Sequence, residues 1–106
     1  MPCYHDIMIR SFKDEATEDI FNGRGTKKAR RACPSSLWRI AGRKLEMLDS
    51  AEQLEDLRVP IGNRLEALSG NRKGQHSIRI NEQYRICFVW AGDGPSNVEI
   101  VDYTDK

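Results

Sequence analysis

The last third of the chain limits its possible folds more than any other part. From Gln75 to Trp90, and again from Val98 to Tyr103, side chains alternate in character with a period of two. That is the pattern of strands that bury one face. In the second of the three predicted strands, Tyr84, Ile86, Phe88 and Trp90 share a face, while Arg85 points the other way with Cys87 and Val89. A guanidinium is costly to desolvate without a partner. Arg85 is therefore either paired to a carboxylate or held ready for an anion.

Upstream the period changes. Ile7 to Phe12 alternates and is predicted as a first strand. Asp14 is placed to cap a short helix from Glu15 to Phe21, stopped by Asn22-Gly23. A second short helix is expected around Lys27 to Ala32. Pro34-Ser35-Ser36 opens the clearest helix, with Leu37, Ile40, Ala41, Leu45 and Leu48 on one face. Ser50 is expected to cap a last turn carrying Leu54 and Leu57, and Pro60-Ile61-Gly62-Asn63 breaks the pattern. Arg64 to Leu68 reads as a short strand, followed by a turn from Ser69 to Gly74. Glu82-Gln83 joins the first two strands of the final meander, and the segment from Ala91 to Asn97 joins the last two. Such short links favour antiparallel pairing. Helices first and a meander last predict an α+β domain, with N-terminal helices packed on a mainly antiparallel sheet of four to five strands.

At 106 residues the chain is expected to form one domain with one modest core. No apolar run approaches the roughly 20 residues a membrane helix needs, and the first residues lack the basic start and apolar centre of a signal peptide. The cytosol is the expected compartment, with no membrane partner. The three cysteines, Cys3, Cys33 and Cys87, are far apart and form no C-x-x-C pair. This argues against a disulfide framework or zinc site, and no metal or cofactor is expected. The net charge of +1 conceals a segregation. Between Phe21 and Leu45 lie eight basic residues (Arg24, Lys27, Lys28, Arg30, Arg31, Arg39, Arg43 and Lys44) and no acidic one. The run is either a phosphate-facing surface or an unevenly charged solvated helix face.

The chain has no phosphate-loop, dinucleotide or H-E-x-x-H motif. Near the predicted sheet it carries Arg72, Lys73, His76, Arg79, Arg85, Asp102 and Tyr103, a set suited to metal-free RNA cleavage. That reaction needs a 2′-hydroxyl deprotonated, phosphorane charge stabilised and a 5′-oxygen protonated. Guanidiniums meet the second need because their planar fork matches phosphate oxygens. Each residue also has a packing explanation. Arg85 and Asp102 lie on neighbouring strands and could pair. Arg79 shares its face with Ser77 and Asn81, as a solvated residue would. His76 faces as Ile78 and Ile80 do, and is either a semi-buried histidine or a base. Tyr103 stacks on a base, orients a nucleophile or packs on the sheet edge.

Several segments together resemble HigB-type toxins of the RelE/ParE superfamily. They are Met8-Ile9-Arg10-Ser11-Phe12, Arg43-Lys44-Leu45 through Ala51, Pro60 through Arg72, Gly74 through Asn81, Tyr84 through Phe88, and Val98 through Tyr103. The resemblance runs in order from Met8 to Thr104. It implies a toxin domain over 8–104, with residues 1–7 as an upstream extension or alternative start. It also implies a RelE/ParE-like fold and a ribosome-dependent mRNA endoribonuclease. The implied partners are a helix-turn-helix antitoxin (HigA-like), the ribosome and its mRNA, and operator DNA bound through the antitoxin complex. Arg85 matches the arginine assigned to the scissile phosphate, and Asp102-Tyr103 match the start of an Asp-Tyr-His ending. His76 is a candidate for proton transfer, and Arg72, Lys73, Arg79, Lys27, Lys28, Arg30 and Arg31 for RNA binding. Two departures stand out. The closing histidine is Thr104 here, and Glu66 and Ser69 replace a histidine and a lysine found in some relatives. Threonine does not titrate near neutrality, so His76, Glu66, Tyr103 or the ribosome would have to supply proton transfer. The alternative function is a non-catalytic or attenuated binding module, regulating through its antitoxin or occupying a ribosomal or gyrase target.

Overall fold

The computed structural model describes residues 8–92 and 94–103. Expectations for residues 1–7 and for Thr104 lie outside that range. Helix α1, Glu15–Phe21, begins where the Asp14 carboxylate accepts from the Thr17 amide at 2.8 Å. Glu15 and Glu18 then suit the positive end of its dipole. It ends at Asn22 and Gly23, whose φ of +79° is the left-handed stop that glycine tolerates. Helix α2, Lys27–Ala32, is capped by Thr26, whose hydroxyl accepts from the Ala29 amide at 3.1 Å and donates to Asp19 at 2.8 Å. Arg24 donates to the same carboxylate at 3.3 Å, which ties α2 to α1. Helix α3, Trp38–Ser50, follows a 3-10 turn at Ser35–Leu37.

Strands β1 (Glu66–Ala67), β2 (His76–Arg79), β3 (Tyr84–Ala91) and β4 (Gly94–Asp102) form an antiparallel sheet in that order. The fold is the expected α+β arrangement. The helices cover one sheet face, where Ile20, Ala29, Ala41, Leu45 and Leu48 pack against Ile78, Ile86, Phe88, Val98 and Ile100. Among the described residues the other face carries no helix, and that asymmetry positions the site. One polar link crosses the dry layer: the buried Thr17 hydroxyl accepts from the Ile100 amide at 3.0 Å. Thr17→Val keeps the shape but orphans that amide. We expect a loss of about 1–3 kcal/mol, measurable by denaturant unfolding.

Several predicted details change. Residues 8–13 form no strand. They run beside β4 with one parallel bridge, Phe12 to Val98, made by the Lys13 amide on the Val98 carbonyl and the Val98 amide on the Ser11 carbonyl, and one further backbone hydrogen bond, from the Arg10 amide to the Pro95 carbonyl. The Ser11 hydroxyl accepts from the Asn97 amide at 2.9 Å, so a side chain takes a donor that a regular ladder would use. The segment from Ala91 to Asn97 is mostly strand rather than loop. Gly94 and Pro95 pair in regular register with Ala91 and Trp90, and the shift follows them: Asn97 and Val98 of β4 oppose Phe88 alone, with Asn97 at φ +51°. The last turn, Leu54–Arg58, is capped by Gln53 and Asp56, while Ser50 ends α3. Ile40 is 38% exposed because the buried stripe of α3 runs through Ala41, Leu45 and Leu48. The strand predicted from Arg64 to Leu68 shortens to two residues.

Candidate anion-binding site on the open sheet face

Register, rather than sequence distance, assembles the open face. Residues paired across neighbouring strands project to the same side. Glu66 pairs with Ser77, Ser77 with Cys87, and Cys87 with Glu99, which makes one row across the sheet. In the next row Arg79 stands directly opposite Arg85. Like charges placed opposite each other repel, and each arginine is met by a carboxylate of its own. Arg79 lies 4.0 Å from Glu82, and Arg85 3.7 Å from Glu66.

Arg85 is held firmly on this face, its side chain only 12% exposed, between the fully buried Ser77 and Cys87. Its Nε donates to the Ser77 hydroxyl at 2.7 Å, and Nη2 donates to the Arg64 carbonyl at 2.7 Å. That carbonyl is aimed by an unusual backbone, since Arg64 has a φ of +47°. The preceding Asn63 is fully buried, accepts from Lys44 and donates to the Leu57 carbonyl at 3.1 Å. Burial lowers the Lys44 pKa, with Arg43 adding to the effect. Among the described residues no protein acceptor is recorded for Arg85 Nη1, so the edge of the fork that bears it carries donors for a further anion.

Around this guanidinium, Arg72 donates to Gln75 and to Glu99, each at 3.0 Å, and Lys13 lies 3.7 Å from Glu99. The hydrogen bond to Glu99 raises the Arg72 pKa. Tyr103 closes the face, its hydroxyl 3.7 Å from the Cys87 thiol. Burial pushes both of these groups up in pKa, against the pull of Arg72 and Arg85.

The predicted site residues separate into three places. Arg72, Arg79, Arg85 and Tyr103 come together on the open face, and Lys73 is exposed beside Arg72. Asp102 pairs in register with Tyr84 on the helix-bearing side and accepts from Gln83 at 3.2 Å. It does not meet Arg85, so the Arg85–Asp102 pairing considered from sequence does not form. His76 also faces the helices, stacked on Phe88 with ring centroids 6.3 Å apart, and its Nδ1 is buried without a partner. Lys27, Lys28, Arg30 and Arg31 line α2, across the sheet from Arg85. Lys28 pairs with Glu15, and Arg30 donates to the Gly25 carbonyl at 3.0 Å. Ser77 and the Arg64 carbonyl were not singled out in the sequence as partners of Arg85. Alternation places Ser77 on the correct face, but no local signal marks the left-handed Arg64.

The family model of the RelE-like toxin of type II toxin-antitoxin system HigB matches residues 10–106. Toxin HigB-1 of Vibrio cholerae is 47% identical over 83 residues, covering 78% of this chain and 84% of that protein. An uncharacterized protein of Haemophilus influenzae is 37% identical over 65 residues, covering 61% of this chain and 64% of its own length. With nearly the whole chain inside the family model and a relative 47% identical over most of both chains, this protein belongs to the RelE-like HigB family of toxins from type II toxin–antitoxin systems.

Proposed function

We propose that this HigB toxin arrests growth by cutting mRNA on the ribosome, and that the open sheet face receives the RNA backbone. The supporting observation is Arg85. Its guanidinium is held at 2.7 Å by Ser77 and by the Arg64 carbonyl, with Arg79 alongside and Nη1 left to donate. Such a group is aimed before substrate arrives, so stabilising phosphorane charge needs no reorganisation. Arg72, Arg79 and Lys73 extend the cationic surface along the strand. The cations of α2, across the sheet, serve a separate contact with ribosomal RNA. The antitoxin partner is of the helix-turn-helix class, and operator DNA is bound through the toxin–antitoxin complex. The residues that act are expected within a single toxin domain spanning 8–104.

A second reading is occupancy of a ribosomal target without cutting. It draws support from His76, which lies on the helix-bearing side, away from Arg85. Mapping mRNA 5′ ends after toxin induction separates the two. New ends at ribosome-positioned codons are expected from cutting, whereas growth arrest without new ends would discard it. Ribosome affinity is expected to fall steeply between low and moderate salt, because phosphate contacts release counterions.

A further inference from the structure

We propose that Asn63 is a positioning residue: it fixes the Arg64 carbonyl that aims the Arg85 fork, and so governs turnover without touching substrate. The inference rests on the nuclease reading above and adds a residue to it. Two groups hold Arg85 at 2.7 Å. The Ser77 hydroxyl stands on β2, where strand register fixes it. The Arg64 carbonyl has no such support. It precedes β1, a strand of only two residues, on a backbone at φ +47° and ψ +58°. A residue with a Cβ adopts left-handed backbone at a cost, and keeps it only where the surroundings impose it. The Arg64 side chain is exposed, whereas the residue before it is sealed in.

Asn63 is fully buried, and both ends of its carboxamide are in use. Oδ1 accepts from Lys44 Nζ on α3, while Nδ2 donates to the Leu57 carbonyl at 3.1 Å and the Val59 carbonyl at 3.5 Å. The same nitrogen lies 3.6 Å from Met47 Sδ, three residues along α3 from Lys44. The backbone on either side is tied as well. The Asn63 amide donates to the Pro60 carbonyl at 2.9 Å, and the Arg64 amide to the Ile61 carbonyl at 3.0 Å. Leu57 is anchored in turn by its side chain in the core. Helix α3, the Leu54–Arg58 turn and the Pro60–Asn63 turn therefore converge on the residue next to Arg64.

That convergence explains why the position holds a carboxamide. The group must accept from a cation and donate to a carbonyl at once, which neither a carboxylate nor an ammonium can do. An aliphatic side chain of similar size would fill the space beside Leu57 and Met47, but it would hold neither partner. A buried polar cluster with its members satisfied is rigid. The rigidity passes through a single residue, Arg64, to the guanidinium on the open face.

The test uses the whole toxin as wild type, Asn63→Ala, Asn63→Asp and Thr17→Val, each well below its melting temperature. The first readout is the order of the Arg85 Nε–H bond, from nitrogen relaxation by NMR. A value near the rigid-backbone level of about 0.85 is expected for wild type, falling below about 0.6 in Asn63→Ala. The second is single-turnover cleavage of a defined mRNA on purified programmed ribosomes. Misplacing a reacting group by about 1 Å can cost on the order of 10²-fold, and Asn63→Ala is expected to slow cutting by that factor at saturating toxin. Its affinity for the ribosome should not change, because a buried Asn63 offers RNA nothing. Asn63→Asp keeps the acceptor for Lys44 and loses the donation to Leu57, so both readouts should fall between those of alanine and wild type. It carries the test if the alanine variant does not fold. Thr17→Val loses stability on the helix side and should move neither readout. An Arg85 as ordered in the Asn63 variants as in wild type, or cutting by them at the wild-type rate, overturns the proposal and leaves the nuclease reading standing. Equal losses in Thr17→Val also overturn it, by reducing Asn63 to a source of stability. If wild type itself yields no new 5′ ends, both readings fall.

Discussion

Arg85→Ala is expected to abolish growth arrest while the protein still folds and still binds its antitoxin. Losing one preorganised donor to transition-state charge typically slows turnover by about 10²–10³-fold. Arg85 contributes a full positive charge in a fork, so the effect belongs at or above the top of that range. The fold should survive because the guanidinium lies on the face opposite the core, bonded to a hydroxyl and a loop carbonyl. Arg85→Lys keeps a charge but cannot reach Ser77 and the Arg64 carbonyl while presenting a planar pair of donors. Its expected activity lies between alanine and wild type. Induced growth curves, melting temperatures and antitoxin pull-down on the three proteins check this. Arrest by the alanine variant at wild-type level would remove Arg85 from the site.

Phe88→Ala should have the largest effect on stability. Phe88 is fully buried at the centre of β3, inside the layer shared with the helices, and it carries the His76 ring against its own. Truncating a buried phenylalanine typically costs about 3–5 kcal/mol, from lost transfer energy and the cavity left behind. Domains of this size are stable by only about 5–15 kcal/mol. A fall in Tm of roughly 15 °C or more is therefore expected, measured by circular dichroism. Phe88→Leu, which refills most of the space, should recover much of it. A Tm within a few degrees of wild type for the alanine variant would place the core elsewhere.

The two variants fail in different ways because they sit on opposite faces of one strand. Phe88 and Arg85 differ by an odd number of positions, so alternation sends one inward and the other outward. That division was legible in the sequence. So were the cap at Asp14, the glycine stop at Gly23, helix α2 and the strand core of the meander, because each depends on neighbours within a few residues. The bulge in β4 was not legible. Its asparagine, and the glycine and proline that precede it, carry the same local signals as a loop, and pairing with β3 and contact with residues 8–13 decide between them.

The site divides in the same way. Alternation within each strand determined that Arg79 and Arg85 point away from the apolar side chains of their strands, and that His76 points with Ile78. Only the tertiary structure decided which residues meet. It put Ser77 and the Arg64 carbonyl on Arg85, Glu99 on Arg72, and Glu66 at the edge of the guanidinium, while Asp102 and the cations of α2 went behind the sheet. Side-chain direction along a strand is a local property of the backbone, readable one residue at a time. Cross-strand register and the aim of a left-handed loop residue arise from contacts between distant segments, and no single stretch of sequence contains them.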